Sequence, residues 1–103
     1  MKDLIGKIYA AKMVFAKAAA KKVVCEHDRT IVMSSAKNVI GDKLQLADGK
    51  APSEQKLERL ARDTQEYINA VKNLGIAVCA AIEAEAEMEK LEREYKLAEL
   101  QAV

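Results

Sequence analysis

The sequence predicts an all-α protein: an antiparallel hairpin of two long helical arms that dimerises into a four-helix bundle. Three observations lead to this prediction. Apolar residues recur every three or four positions through most of the 103 residues, which is the period of an amphipathic helix. Helix-breaking residues concentrate near the midpoint, where Pro52 follows Asp48-Gly49. Half of the residues are apolar, a third are charged and none is Trp, a composition typical of helical and coiled-coil proteins.

The first arm is expected over residues 2–46. Its leading segment is rich in Ala and Lys, and its apolar residues share one helical face: Leu4, Ile8, Ala11, Phe15 and Ala18. The polar residues 26–30 are compatible with a kink, a short loop or a polar patch on an uninterrupted helix. Asp28 or Thr30 could cap a new helix there, whose apolar face would be Ile31, Val32, Val39 and Ile40. The alternative is a strand at residues 30–33 that pairs with a strand at residues 43–46, since three of the residues 30–33 are β-branched. An isolated two-stranded hairpin is marginal, which favours helix.

The turn is expected over residues 47–52. Asp48-Gly49 is typical of a turn, and Pro52 cannot continue an incoming helix. Ser53 is suited to cap the next helix, and Glu54 places a carboxylate near the positive end of its dipole. The two arms therefore have similar lengths, which is typical of an antiparallel hairpin within a single helical domain over residues 1–103.

The second arm, residues 53–102, is expected to be one long helix of roughly 70 Å. Small residues around Gly75 predict a close approach of two helices there, or a mild bend. The face expected to point inward carries Leu57, Leu60, Ala61, Thr64, Ile68, Val71, Gly75, Val78, Cys79 and Ile82, continued by Met88, Leu91, Tyr95 and Ala98.

Charge is divided between the two halves of the chain. Residues 1–50 hold ten Lys or Arg against five Asp or Glu, and residues 51–103 hold seven against eleven. Arms of opposite sign that lie side by side would neutralise much of this asymmetry. The outward charges are then the expected partner-binding residues: Lys7, Lys17, Lys21, Glu83, Glu87 and Glu94.

The segment Cys25-Glu26-His27-Asp28 holds the only imidazole of the chain beside a thiol. A structural zinc site needs four ligands, and the chain offers one further Cys and no further His. On a continuous helix Cys25 and His27 point about 200° apart, which prevents a hydrogen bond between them. No metal, cofactor or catalytic residue is expected. In the hairpin Cys25 and Cys79 share a layer of the core, as buried thiols.

These features predict a non-enzymatic protein–protein interaction module, such as an adaptor, assembly factor or inhibitor, which forms a homodimer. The alternative is a basic-helix binder of nucleic acid or of an anionic membrane surface through the Lys-rich first arm. A cytoplasmic location is expected, because two Cys are too few for a disulfide framework and lysines interrupt the amino-terminal apolar run.

Overall fold

The computed structural model describes residues 2–102, and all their regular secondary structure is helical. Helix α1 spans Lys2–Asp48, α2 spans Glu54–Arg62 and α3 spans Gln65–Ala102. Residues 30–33 and 43–46, the alternative strands, lie within α1. The all-α class is therefore confirmed. Over residues 2–102, none of the helices has an apolar stretch long enough to cross a membrane.

The chain divides into two compact units. The first unit joins the residues up to Val23, at the beginning of α1, to those from Ile76 onwards, in α3. The second unit runs from Val24 to Gly75 and contains the rest of α1, the turn, α2 and the beginning of α3.

Helix α1 continues without interruption through the polar residues 26–30. The Thr30 hydroxyl donates to the Glu26 carbonyl oxygen at 3.2 Å, so this polar side chain is satisfied by the preceding turn of its own helix. Of the three interpretations of this segment, the polar patch on a continuous helix is the correct one.

The two ends that face the turn are capped as their residue types predict. Gly49 follows the last residue of α1 with φ of 72°, and its N–H donates to the Gln45 carbonyl oxygen at 2.8 Å. The Ser53 hydroxyl accepts from the Lys56 N–H at 3.3 Å, which confirms Ser53 as the N-cap of α2. Helix α1 ends at Asp48, two residues beyond the predicted end of the first arm.

Substituting glycines tests this description of the turn. We expect Gly49→Ala to lower the free energy of unfolding by about 1–2 kcal/mol, because a left-handed φ is unfavourable for a residue with a Cβ. Gly75→Ala is the matched control: it lies inside α3 with open space at its Cβ position, so Ala should raise stability by about 0.8–1.0 kcal/mol. Urea unfolding followed by circular dichroism measures both, and equal effects would contradict the assignment.

The second arm is not one helix, because it breaks at Asp63 and Thr64. Their N–H groups donate to the carbonyl oxygens of Leu60 and Ala61, three residues back, at 3.2 and 3.1 Å. The Thr64 hydroxyl donates to the Ala61 carbonyl oxygen at 2.7 Å and accepts from the Tyr67 N–H at 3.3 Å. One side chain thus closes α2 and caps α3, and the prediction of a continuous helix from residue 53 is wrong.

One face of α3 is covered along most of its length. Of its twelve buried and half-buried positions, all but Val78 and Glu92 alternate steps of three and four, a heptad seam of the kind found in coiled coils: Tyr67, Ala70, Leu74, Ala77, Ala81, Ala84, Met88, Leu91, Tyr95 and Ala98.

The inward face predicted for the second arm is right at its two ends, including the half-buried Thr64. Between them Val78 is half-buried as predicted, and the other predicted residues are exposed. Leu57, Leu60 and Ala61 are covered, as are the four residues from Met88 to Ala98 that the prediction included. Ile68, Val71 and Ile82 are exposed, as is Cys79. Gly75 is exposed and makes no close approach. Alanines, which permit two backbones to lie close, occupy the seam in place of the larger aliphatic residues. In the leading segment of α1 the five predicted apolar positions are all buried or half-buried. Of the four predicted after residue 30, Val32 and Ile40 are half-buried, whereas Ile31 and Val39 are exposed.

Candidate functional site

The predicted basic residues lie on α1 within the first unit. The side chains of Lys7, Lys17 and Lys21 are exposed. None of the ion pairs formed within residues 2–102 includes any of them. Their ammonium groups are therefore exposed and are not held in ion pairs with the carboxylates of the described residues.

The predicted acidic residues Glu83, Glu87 and Glu94 are exposed on α3 of the same unit. A shallow groove between α1 and α3 brings Lys7 together with Glu87 and Glu94, with Ala11 and Leu91 also lining it. Lys17, Lys21 and Glu83 do not line this groove. The structure thus gathers three of the six predicted residues into one place and leaves the other three on separate parts of the helix surfaces.

One ion pair joins α1 to α3 in the first unit. Lys12 Nζ lies 3.9 Å from Glu92 Oε1, and both side chains are about half exposed. At this distance and exposure such a pair contributes about 0–1 kcal/mol and is screened by salt. The pair therefore matches the opposite charges of the two arms without supplying much stability.

A second groove of this unit carries the tyrosine near the end of α3. Ile5, Ile8 and Lys12 line it from α1, and Tyr95 and Glu99 are among the residues that line it from α3. A hydrogen bond from the Tyr95 hydroxyl to the Glu99 carboxylate raises the pKa of Tyr95 above its usual value, and the negative charge of Glu99 acts in the same direction.

In the second unit, Lys37 is the centre of a charge cluster that the sequence did not reveal. Its Nζ lies 2.5 Å from Glu54 Oε1 and 3.4 Å from Glu58 Oε1, and Arg62 lies 4.0 Å from the other Glu58 oxygen. The hydrogen bond to Glu54 is the main cause of a raised pKa of Lys37. The side chain of Lys37 is only 21% exposed, so this cluster holds α2 against α1.

The Lys37 cluster predicts a stability change at high pH. Since its pKa is raised in the folded chain, its contribution is complete below the pKa of an unfolded Lys, about 10.4, and is lost as pH rises through the folded value. We expect Lys37→Met to be less stable than wild type at pH about 8 and the difference to shrink above pH about 10.5. Lys43→Met, an exposed substitution on α1, is the control. A constant difference across this range would contradict the cluster.

The two cysteines lie in different units and are both free thiols. Cys25 is half-buried in a groove of the second unit that Asp28, Glu66 and Asn69 also line. Cys79 is exposed on α3, so the prediction of a buried thiol is wrong for it, because the seam passes through Ala77 and Ala81 instead. Over residues 2–102, no three His, Cys, Asp or Glu side chains are grouped as metal ligands would be.

Apolar side chains are more prominent on the surface than in the core. Within residues 2–102, seven hydrophobic residues are buried, of which five are alanines: Ala11, Ala61, Leu74, Ala77, Ala81, Ala84 and Leu91. Fifteen large hydrophobic residues are exposed, among them Tyr9, Met13 and Val23 on α1. The large apolar side chains of the described residues are therefore mostly at the surface, while alanine makes up most of the buried set.

Comparison with known proteins adds no relative to this description: no family model matches the chain, and neither a curated protein nor a solved structure matches it.

Proposed function

We propose that this chain is a non-enzymatic protein–protein interaction module, such as an adaptor, assembly factor or inhibitor. The observation that carries the proposal is the imbalance between fifteen exposed large hydrophobic residues and a buried set made mostly of alanine. Burying apolar area stabilises an assembly by about 25 cal/mol per Å², so a partner that covers these side chains gains substantially. Helical surfaces of this kind bind partners through residues three and four positions apart.

The architecture that we propose for the module is an antiparallel hairpin of α1 with α2 and α3, and its first partner is a second copy in a four-helix bundle. The groove between α1 and α3 in the first unit and the Lys37 contacts across the turn in the second unit support the hairpin. The heptad seam of α3 supports the coiled-coil packing.

Light scattering coupled to gel filtration tests the assembly. We expect a mass near twice 11.3 kDa that falls towards the monomer on dilution. Affinity capture with the purified chain, comparing wild type with a variant that carries Glu83→Lys, Glu87→Lys and Glu94→Lys, tests the partner. The proposal would be overturned if the chain were a monomer at every concentration and also captured no partner protein in the affinity experiment.

A second candidate function is a charged-surface binder of nucleic acid or of an anionic membrane. It is favoured by the exposure of Lys7, Lys17 and Lys21, which are free of ion pairs within the described residues. Binding of either ligand should weaken steeply with salt. Reversal of the three lysines to Glu should abolish it, and binding that persists after reversal would exclude this candidate.

A further inference from the structure

Helix α1 carries a second apolar face in the first unit, on the side away from α3. Its members follow one another at steps of four and three, and by 3.6 residues per turn they fall within an arc of about 80°. We call them the α1 strip: Ile5, Tyr9, Met13, Ala16, Ala20 and Val23. All six are exposed, from 49% for Met13 to 68% for Tyr9 among the four larger ones.

Lysines border the α1 strip on both sides. Lys12 lies along one edge of the arc, and Lys17 and Lys21 lie along the other, at helical angles of about 20–80° beyond it. No charged residue falls inside the arc between Ile5 and Val23. Residues 2–22 hold six lysines and a single acidic residue, Asp3. Lys12 lies near Glu92 of α3, so Lys17 and Lys21 supply the unpaired positive charge beside the strip.

A second copy of the chain is a poor match for this surface. Its own α1 strip has the same lysine borders, so pairing two strips would bring like charges together at several places. On α3 the exposed large apolar residues of this unit are Ile76, Ile82, Leu97 and Leu100. Glu89 and Arg93 lie on the same helical face as Ile82 and Leu97 and separate the first two exposed apolar residues from the last two. That helix therefore offers no continuous apolar surface of matching length.

Nucleic acid matches the lysines but not the strip. Phosphate oxygens bind the ammonium groups, whereas the side chains of Met13 and its neighbours would gain nothing from a phosphate backbone. An anionic bilayer matches both, because an amphipathic helix buries its apolar face at the boundary of the acyl chains while bordering lysines reach the headgroups. Tyr9 also suits this boundary, since its ring is apolar and its hydroxyl polar.

We propose that the α1 strip binds the surface of an anionic phospholipid bilayer, with α1 lying in the plane of the interface and α3 on the far side. This inference rests on the second candidate function and deepens it by naming the residues that would enter the lipid. The protein-binding role is then left to exposed residues outside the α1 strip. With α1 on the lipid, Glu83, Glu87 and Glu94 of α3 stay available to a protein partner.

Sedimentation with vesicles tests the proposal on the full chain. Vesicles of mixed phosphatidylglycerol and phosphatidylcholine should bind the wild type, and phosphatidylcholine alone should bind it at least about tenfold more weakly. Raising NaCl from about 50 mM to about 500 mM should reduce binding to the anionic vesicles. Met13→Glu should reduce it at least about tenfold, and Tyr9→Ser, which keeps the net charge, should reduce it in the same direction.

Leu97→Glu is the matched control, because it makes the same change of charge at an exposed apolar residue of α3 in the same unit. It should leave vesicle binding within about twofold of wild type. The proposal is overturned if the wild type ignores anionic vesicles, binds neutral ones equally, or loses no binding with Met13→Glu. If Met13→Glu instead converts a dimer to a monomer without lipid, the strip is covered by a second copy. The protein-binding role is tested separately, by affinity capture with the variant in which Glu83, Glu87 and Glu94 are replaced by Lys.

Discussion

Replacing Leu74 by Ala is expected to lower the free energy of unfolding by about 2–5 kcal/mol. Leu74 is one of only two leucines buried within residues 2–102, and its side chain is 9% exposed in the seam of the second unit. Removing its methyl groups loses the free energy gained when they are transferred from water to the protein interior. It also leaves a cavity that neighbouring alanines are too small to fill. Urea unfolding followed by far-UV circular dichroism measures the loss.

Leu46→Ala is the control for this substitution. Leu46 also lies in a helix of the second unit, but its side chain is 87% exposed, so Ala should change stability by about 0.5 kcal/mol or less. Both substitutions remove the same atoms and keep a good helix former. If they cost the same, the seam assigned to α3 is on the wrong face.

The first unit should respond most to an increase in side-chain size. Ala81 is 8% exposed in the seam of α3, so Ala81→Leu should force helices apart and cost about 1–3 kcal/mol. Ala80→Leu places the same side chain at the next residue, which is exposed, and should change stability by about 0.5 kcal/mol or less. Thermal unfolding at equal protein concentration distinguishes the two, and a stabilised Ala81→Leu chain would show that the seam has room to spare.

The ends of the helices at the turn were predictable because they depend on local chemistry. Gly49 alone reaches a positive φ without strain, and Ser53 supplies the hydroxyl that α2 needs at its first turn. The covered face of the leading segment of α1 was also predictable. Its residues include Ile8 and Phe15, large apolar side chains that mark the helical period clearly.

The seam of α3 was predicted only from Met88 onwards, because four of the six seam positions before it are alanine. A periodicity read from large aliphatic residues selects Ile68, Val71 and Ile82, which the structure leaves exposed. The heptad alternation from Tyr67 to Ala98 was present in the sequence and would have been found by weighting small residues equally. The break at Thr64 was missed as well, since a helix can contain Thr and only its hydrogen bonds reveal a cap.

The charged residues could be predicted as a class but not as contacts. Lys7 lines one groove together with Glu87 and Glu94. This arrangement depends on the register of α1 against α3, which cannot be derived from the sequence alone. The contacts of Lys37 were even less predictable from the sequence. Its partners are 17 and 21 residues away along the chain, and only the closure of the turn brings them together.

The shortness of α2 has a consequence for where the molecule opens first. Isolated helices below about 12–15 residues are marginal in water, and α2 has nine. Its helical state therefore depends on Ala61 being covered and on Lys37 holding its first turns to α1. Brief release of these contacts would expose its amide hydrogens to solvent while those of α1 and α3 stay bonded, so the amides of α2 should exchange with deuterium soonest.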